Sequence, residues 1–207
     1  GFQTQTITED IHTSMALHAK GYTSCYLNRV LSAGLMPETF EGYLKQRKRW
    51  AMGCIQVLLR DNPLTKRGLT FAQRLDYFGS IFYFFFGLPR VICLVAPLAS
   101  LLFHTPPLHA DMTLLMLHFL PFYVASALAM RPVTRGSRNP FWSDIYELAM
   151  CFALSAVALK TLAAPRKERT FEVTPKGQRV KKNTSAELTL AWPHLVIFGL
   201  LIGGLVL

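Results

Sequence analysis

Three long stretches of this chain carry almost no charge, and the remaining residues are arranged around them. Phe78–Phe103 runs for 26 residues with one charge, Arg90, next to Pro89. Met112–Met130 gives 19 residues without Asp, Glu, Lys or Arg, interrupted by His118 and Pro121, and Leu188–Leu207 gives 20 more. A bilayer core of about 30 Å needs roughly 20 apolar residues in helical form. Helices of soluble domains seldom stay apolar all round for so long. The pattern predicts membrane spans over 78–103, 112–130 and 188–207, the last of them truncated. Between the second and third, Ile145, Leu148, Ala149, Phe152, Ser155, Ala156 and Leu159 form an apolar stripe accompanied by Asp144, Glu147 and Lys160. That mixture predicts an amphipathic helix over 141–164 lying in the interface, not a fourth span. A charged loop over 165–187 follows it.

The first sixty residues follow a different rhythm. Thr8 stands where a helix N-cap belongs, the helix reaches Lys20, and Gly21 occupies the C′ position. Tyr22–Leu27 reads as a short strand. Pro37 is placed to open a second helix at its first turn, ending near Arg60 where Asn62-Pro63 stops it. Phe40, Leu44, Ala51, Ile55 and Leu58 form the apolar stripe of that helix. Helix–strand–helix over 1–60 is the end of an α/β domain, too little to bury a core alone. Residues 61–77 form a cytoplasmic interfacial connector. The chain opens at Gly1 with no signal-like segment and stops inside an apolar run, so it is expected to be a piece of a longer polypeptide.

Charge fixes the expected orientation. Hydrophobic residues make up 51% of the 207 and charged residues only 16%, yet the net charge is +10. Ten Lys/Arg fall in 1–77, none in 104–111 and eleven in 131–187. Basic loops stay cytoplasmic, so 1–77 and 131–187 are expected inside and 104–111 outside. The surplus of cations also suits anionic lipid or an anionic nucleotide. No nucleic-acid recognition module is present. Cys25, Cys54, Cys93 and Cys151 lack CxxC or His-paired spacing, which predicts buried free thiols without a zinc or disulfide framework.

Candidate chemistry sits in three short motifs. Gln46, Arg49 and Trp50 stand at i, i+3 and i+4 of the second helix and share a face, with Arg47 and Lys48 pointing elsewhere. Aromatic rings stack on sugar faces, and a guanidinium fork holds phosphate oxygens. The plainer reading of such a basic patch is a solvated or headgroup-facing surface. Asp10 falls in the first turn of its helix, where the N-terminus favours an anion by about 0.3–1 kcal/mol. An ionised carboxylate there can take a proton from an attacking hydroxyl, or it can merely complement the helix dipole. Phe171-Glu172-Val173-Thr174 alternates apolar and polar residues inside a strongly basic loop, and Pro175 stiffens its end.

Thr-Glu-Asp at 8–10, Gln-x-x-Arg-Trp at 46–50 and Phe-x-Val-Thr-x-Lys at 171–176 resemble the catalytic subunit of bacterial cellulose synthase. Ala33-Gly34-Leu35, Asp61-Asn62-Pro63-Leu64 and Phe71-Ala72-Gln73-Arg74-Leu75 extend the resemblance across the chain. The first two motifs also fit hyaluronan, chitin or curdlan synthases, whereas the third favours glucan polymerisation. The resemblance implies the C-terminal portion of an α/β glycosyltransferase of the GT-A type, followed by transmembrane and interfacial helices. It implies an inverting, processive enzyme that joins glucose from UDP-glucose into β-1,4-glucan and moves the product across the bacterial inner membrane. Asp10 then matches the general base, and Trp50 with Glu9 matches the acceptor site. Gln46, Arg49, Phe171, Val173, Thr174 and Lys176 match the donor side, the last four as a gating loop over the nucleotide.

Tyr77, Phe82 and Tyr83 become channel candidates near the cytoplasmic mouth. Arg90, an intramembrane charge, is either a channel residue or a headgroup contact. The resemblance also implies Mg²⁺ held mainly by residues outside this chain, cyclic di-GMP as activator, and a membrane-anchored periplasmic partner subunit. Because the upstream aspartates are missing here, the chain alone is expected to be inactive. Rival readings are a β-1,3-glucan or mannan synthase, or a non-catalytic membrane scaffold.

Overall fold

The computed structural model describes residues 2, 6–104, 111–135, 139–164 and 184–206. Its seven helices are α1 (Glu9–Ala19), α2 (Phe40–Arg60), α3 (Phe71–Phe82), α4 (Gly87–Phe103), α5 (Met112–Thr134), α6 (Pro140–Ala163) and α7 (Thr184–Val206). A 3-10 turn over Tyr83–Phe85 joins α3 to α4.

Local chemistry sets most of the helix ends. Gly21 takes φ +86°, its N–H donates to the His18 carbonyl at 3.0 Å, and the Tyr22 N–H donates to Leu17 at 3.2 Å. This paired closure is what a left-handed C′ glycine permits. Thr8 does precede α1, but its hydroxyl makes no capping bond. At α2 the cap is Thr39, whose hydroxyl accepts from the Gly42 N–H at 3.1 Å. Pro37 therefore lies two residues before the cap and not in the first turn. A side-chain acceptor outcompetes proline's fixed φ as the start signal here. Thr70 and Gln73 form a reciprocal capping box at α3, with bonds of 3.3 and 3.0 Å. Asn139 caps α6 by accepting from the Phe141 N–H at 3.0 Å.

The expected strand is absent. Tyr22–Leu27 is exposed chain, with Tyr26 90% accessible, and among the described residues every regular element is helical. A strand exists only through a ladder to a neighbour, and no other described segment pairs with this one. The α/β character is thus not seen in this portion.

The core lies where α1, α2, α3 and α6 converge, on Met15, Leu44, Ala51, Cys54, Val57, Leu69, Ile81, Met150 and Leu154. A fully buried side chain such as Met150 contributes about 1.5–3 kcal/mol. On α2 the expected stripe holds, with Leu44, Ala51 and Ile55 buried and Phe40 and Leu58 packed beside them.

On α6 the expected stripe holds only in part. Met150, Cys151, Leu154, Ser155, Ala158 and Thr161 are buried, while Ile145, Leu148 and Leu159 are exposed. Arg90 of α4 donates to Asp144 and Glu147 at 2.7 Å each, and the Tyr83 hydroxyl donates to Glu147 at 3.2 Å. The two carboxylates read from sequence as charges beside the apolar stripe thus both meet α4 through Arg90. Small residues let the crossing close. A Cβ on Gly87 would stand 2.6 Å from the Cys151 carbonyl oxygen and 2.7 Å from Ser155 Oγ.

Among the described residues three helical stretches could cross a membrane by length and composition: Phe71–Phe103, Met112–Pro132 and Pro140–Ala163, with Leu190–Gly204 a shorter apolar helix. The first begins seven residues before the apolar stretch read from sequence. α6 meets this criterion despite Asp144, Glu147 and Lys160. None of the apolar window of α5 is buried.

Candidate active site

α2 is the platform on which the site is built. Its residues Trp50, Gly53 and Cys54 are spaced to share a face, and the start of α1 rests there. A Cβ on Gly53 would lie 2.6 Å from Thr8 Cγ2 and 2.8 Å from the Thr8 nitrogen. Only a residue without a side chain admits this approach. Further along, the Ile7 N–H donates to Gln56 Oε1 at 3.4 Å. His12, buried inside α1, pairs through Nε2 with Asp61 at 3.2 Å and through Nδ1 with the Thr6 hydroxyl at 3.1 Å. Asp61 also pairs with Lys66. These contacts run from Gly53 to the C-cap of α2 and hold the two helices in one register.

Asp10 is exposed, with Oδ1 accepting from the Ile11 N–H at 2.8 Å. Cys54 is buried one turn along α2 from Trp50. Burial pushes the Cys54 thiol up to about 11, with the Thr8 hydroxyl opposing and the Asp10 charge adding to the rise. Cys54 is therefore a neutral thiol at physiological pH, and an inert one. Glu9, next to Asp10, is also exposed. The structure thus seats Thr8, the first residue of the Thr-Glu-Asp motif, against Gly53 of α2, three residues beyond Trp50.

Gln46, Arg49 and Trp50 are all half-buried, and Trp50 packs against the edge of the core. Arg47 does not point elsewhere. Its guanidinium lies 5.3 Å from the Trp50 ring centroid and 5.1 Å from that of Tyr43, and its Nε donates to the Tyr43 hydroxyl at 2.9 Å. Arg47 is i+4 from Tyr43 and i−3 from Trp50, so helical spacing alone could have found this. Lys48 is the residue that turns away. Burial and then the charges of Lys160 and Lys45 hold its ammonium below the ordinary lysine range, against Glu41.

The channel candidates divide. The Tyr77 hydroxyl pairs with His18 Nδ1 at 2.8 Å, tying α3 to α1. Tyr83 and Arg90 meet Glu147, a carboxylate partnership that sequence reasoning missed because 57 residues separate Arg90 from it. Phe82 is 58% accessible and stacks on Phe78 at 5.5 Å. Phe171, Val173, Thr174 and Lys176 lie outside the described residues. Among the described residues no three His, Cys, Asp or Glu side chains converge as a metal site would require.

The family model described as glycosyl transferase family group 2 matches residues 1–130. The cellulose synthase catalytic subunit (UDP-forming) of Pseudomonas fluorescens (strain SBW25) is 36% identical over 205 residues, covering 99% of this chain and 28% of that protein. The cellulose synthase 1 catalytic subunit (UDP-forming) of Komagataeibacter xylinus is 37% identical over 196 residues, 95% of this chain and 26% of that protein. Cellulose synthase 1 of Novacetimonas hansenii is 36% identical over 205 residues, 99% and 13%. The chain spans about a quarter of the first two relatives.

Proposed function

Because this chain belongs to glycosyl transferase family group 2, we propose that it forms the acceptor side of an inverting, processive transferase that builds β-1,4-glucan from UDP-glucose. The observation that carries this reading is the seating of Thr8, two residues before Asp10, against Gly53 of α2, three residues beyond Trp50. A base and a stacking platform carried on these two packed segments suit a sugar hydroxyl held for attack. Trp50 stacks under the terminal glucose of the acceptor, with Glu9 beside it. Asp10 takes the proton from the C4 hydroxyl as its oxygen bonds to the donor's anomeric carbon. UDP leaves from the opposite face with the bonding electron pair. Gln46 and Arg49 place the acceptor and the diphosphate.

Phe171, Val173, Thr174 and Lys176 are assigned to a loop that closes over the nucleotide. Tyr77, Phe82 and Tyr83 are assigned to the mouth of the glucan path, and the anchoring of Arg90 by Asp144 and Glu147 suits a fixed wall. The Mg²⁺ ligands and the uridine contacts are assigned mainly to the rest of the polypeptide. Cyclic di-GMP activation and a membrane-anchored periplasmic subunit likewise engage other parts.

The test is the product. Membranes containing the full-length synthase should convert labelled UDP-glucose into polymer that a β-1,4-endoglucanase solubilises. A product cut only by a β-1,3-glucanase or a mannanase replaces the linkage assigned here, and no polymer at all favours a scaffold.

The proposed placement is the bacterial inner membrane, with 1–77 and 131–187 cytoplasmic and α6 lying in the interface. Cysteines introduced within 105–110 should react with an impermeant maleimide added outside, and those within 166–182 should not. The reverse pattern overturns the orientation and removes access to cytoplasmic UDP-glucose.

A further inference from the structure

Trp50 can serve as a sugar platform only if its ring plane is fixed and one face is left open. The second torsion of a tryptophan side chain is broad, so a half-buried indole at the edge of a core needs an outside restraint. Arg47 supplies a plane against it, with its guanidinium carbon 5.3 Å from the Trp50 centroid. Arg47 is in turn held from a second side by Tyr43, through the 2.9 Å bond from Nε to the hydroxyl and a 5.1 Å approach to the ring. Tyr43 is braced by α6, where Tyr146 meets it edge-on at 5.9 Å and meets Phe40 at 6.5 Å.

We propose that Arg47 is a positioning residue for acceptor recognition: it covers one face of the Trp50 indole, sets the ring plane, and leaves the opposite face for the pyranose of a glycan acceptor. The inference rests on the stacking role assigned to Trp50 above. Arg47 touches neither donor nor reacting atoms in this scheme. Its effect is to remove ring motion before the sugar arrives, so that less ordering is lost on binding. The brace through Tyr43 also makes the platform depend on how α6 packs against α2.

The experiment uses the full-length synthase in lipid nanodiscs with Trp142→Phe and Trp192→Phe, which leaves Trp50 as the reporter within this chain. If indoles elsewhere in the polypeptide contribute, the signal is read as the difference from a matched Trp50→Phe protein. Arg47→Met keeps length but loses charge and planarity. Arg47→Lys keeps charge but loses the fork and the Nε donor.

Arg47→Met should raise acrylamide quenching of Trp50 and lower glucan elongation about two- to fivefold, the worth of a cation–π contact of this kind. The KM for UDP-glucose should stay constant and the chains should shorten, and Arg47→Lys should fall between. Lys45→Ala, on an exposed neighbour paired with Glu41, should change none of these. Unchanged quenching and elongation in Arg47→Met and Arg47→Lys, with Trp50→Ala inactive, overturns the inference alone. Normal polymerisation by Trp50→Ala overturns the stacking role itself. If Arg47→Met does not fold, Arg47→Lys decides on the same two readouts.

Discussion

Asp10→Asn should lower glucan synthesis by about 10²-fold or more, within the 10²–10⁴ range of general acid–base catalysis, with UDP affinity almost unchanged. Asn matches Asp in size, and its amide oxygen can still accept the 2.8 Å bond from the Ile11 N–H. The side chain is exposed in the first turn of α1, so the substitution disturbs no packing. What disappears is the ability to receive a proton. The seating of α1 depends on Thr8 against Gly53 and on His12 with Asp61, none of which involves Asp10. A loss of activity can therefore be separated from a loss of structure. The measurement is initial incorporation of labelled glucose in membranes, with UDP binding determined in parallel. Near-normal polymer from this variant would end the assignment of Asp10 as the base.

Trp50→Ala should abolish elongation while the protein still inserts and folds. Stacking of an aromatic ring under a ring-shaped ligand is worth about 1–3 kcal/mol, by analogy with base stacking, and here it also orients the attacking hydroxyl. Trp50 packs against the core as well, so part of any loss could come from stability. Trp50→Phe resolves this, because a phenyl ring keeps most of the apolar contact and part of the stack. It should recover some elongation where Ala recovers none. If the two variants polymerise alike, the ring is packing and not recognition. Thermal unfolding of both, measured in the same nanodiscs, separates the two effects.

Much of the local structure was legible in the chain. Gly21 ends α1, Asn62-Pro63 ends α2 and the buried stripe of α2 falls on Leu44, Ala51 and Ile55, because these features depend on residues within a turn or two. The three motifs were also legible as motifs, since residue type and spacing carry them. Three outcomes depended on contacts that no local pattern encodes. Tyr22–Leu27 reads as a short strand, yet a strand is a property of two segments and its partner is not among those described. Asp144 and Glu147 accompany an apolar stripe in the sequence, and both meet Arg90 of another helix through charge-assisted bonds at 2.7 Å, Glu147 half-buried and Asp144 at the exposed edge. Arg47 looks like one more surface cation, and it lies over Trp50 because Tyr43 and α6 hold it there.

The sequence by itself determined where helices start and stop, how apolar each is, and which chemical groups are available. Tertiary structure decided which face each helix buries and which residues meet: Gly53 opposite Thr8, Tyr77 on His18, Arg47 on Trp50. The reason is the range of the forces involved. Capping, propensity and amphipathicity act over about one turn of helix. Ion pairs and close backbone approaches instead join residues such as Arg90 and Glu147, and they exist only once the chain has packed.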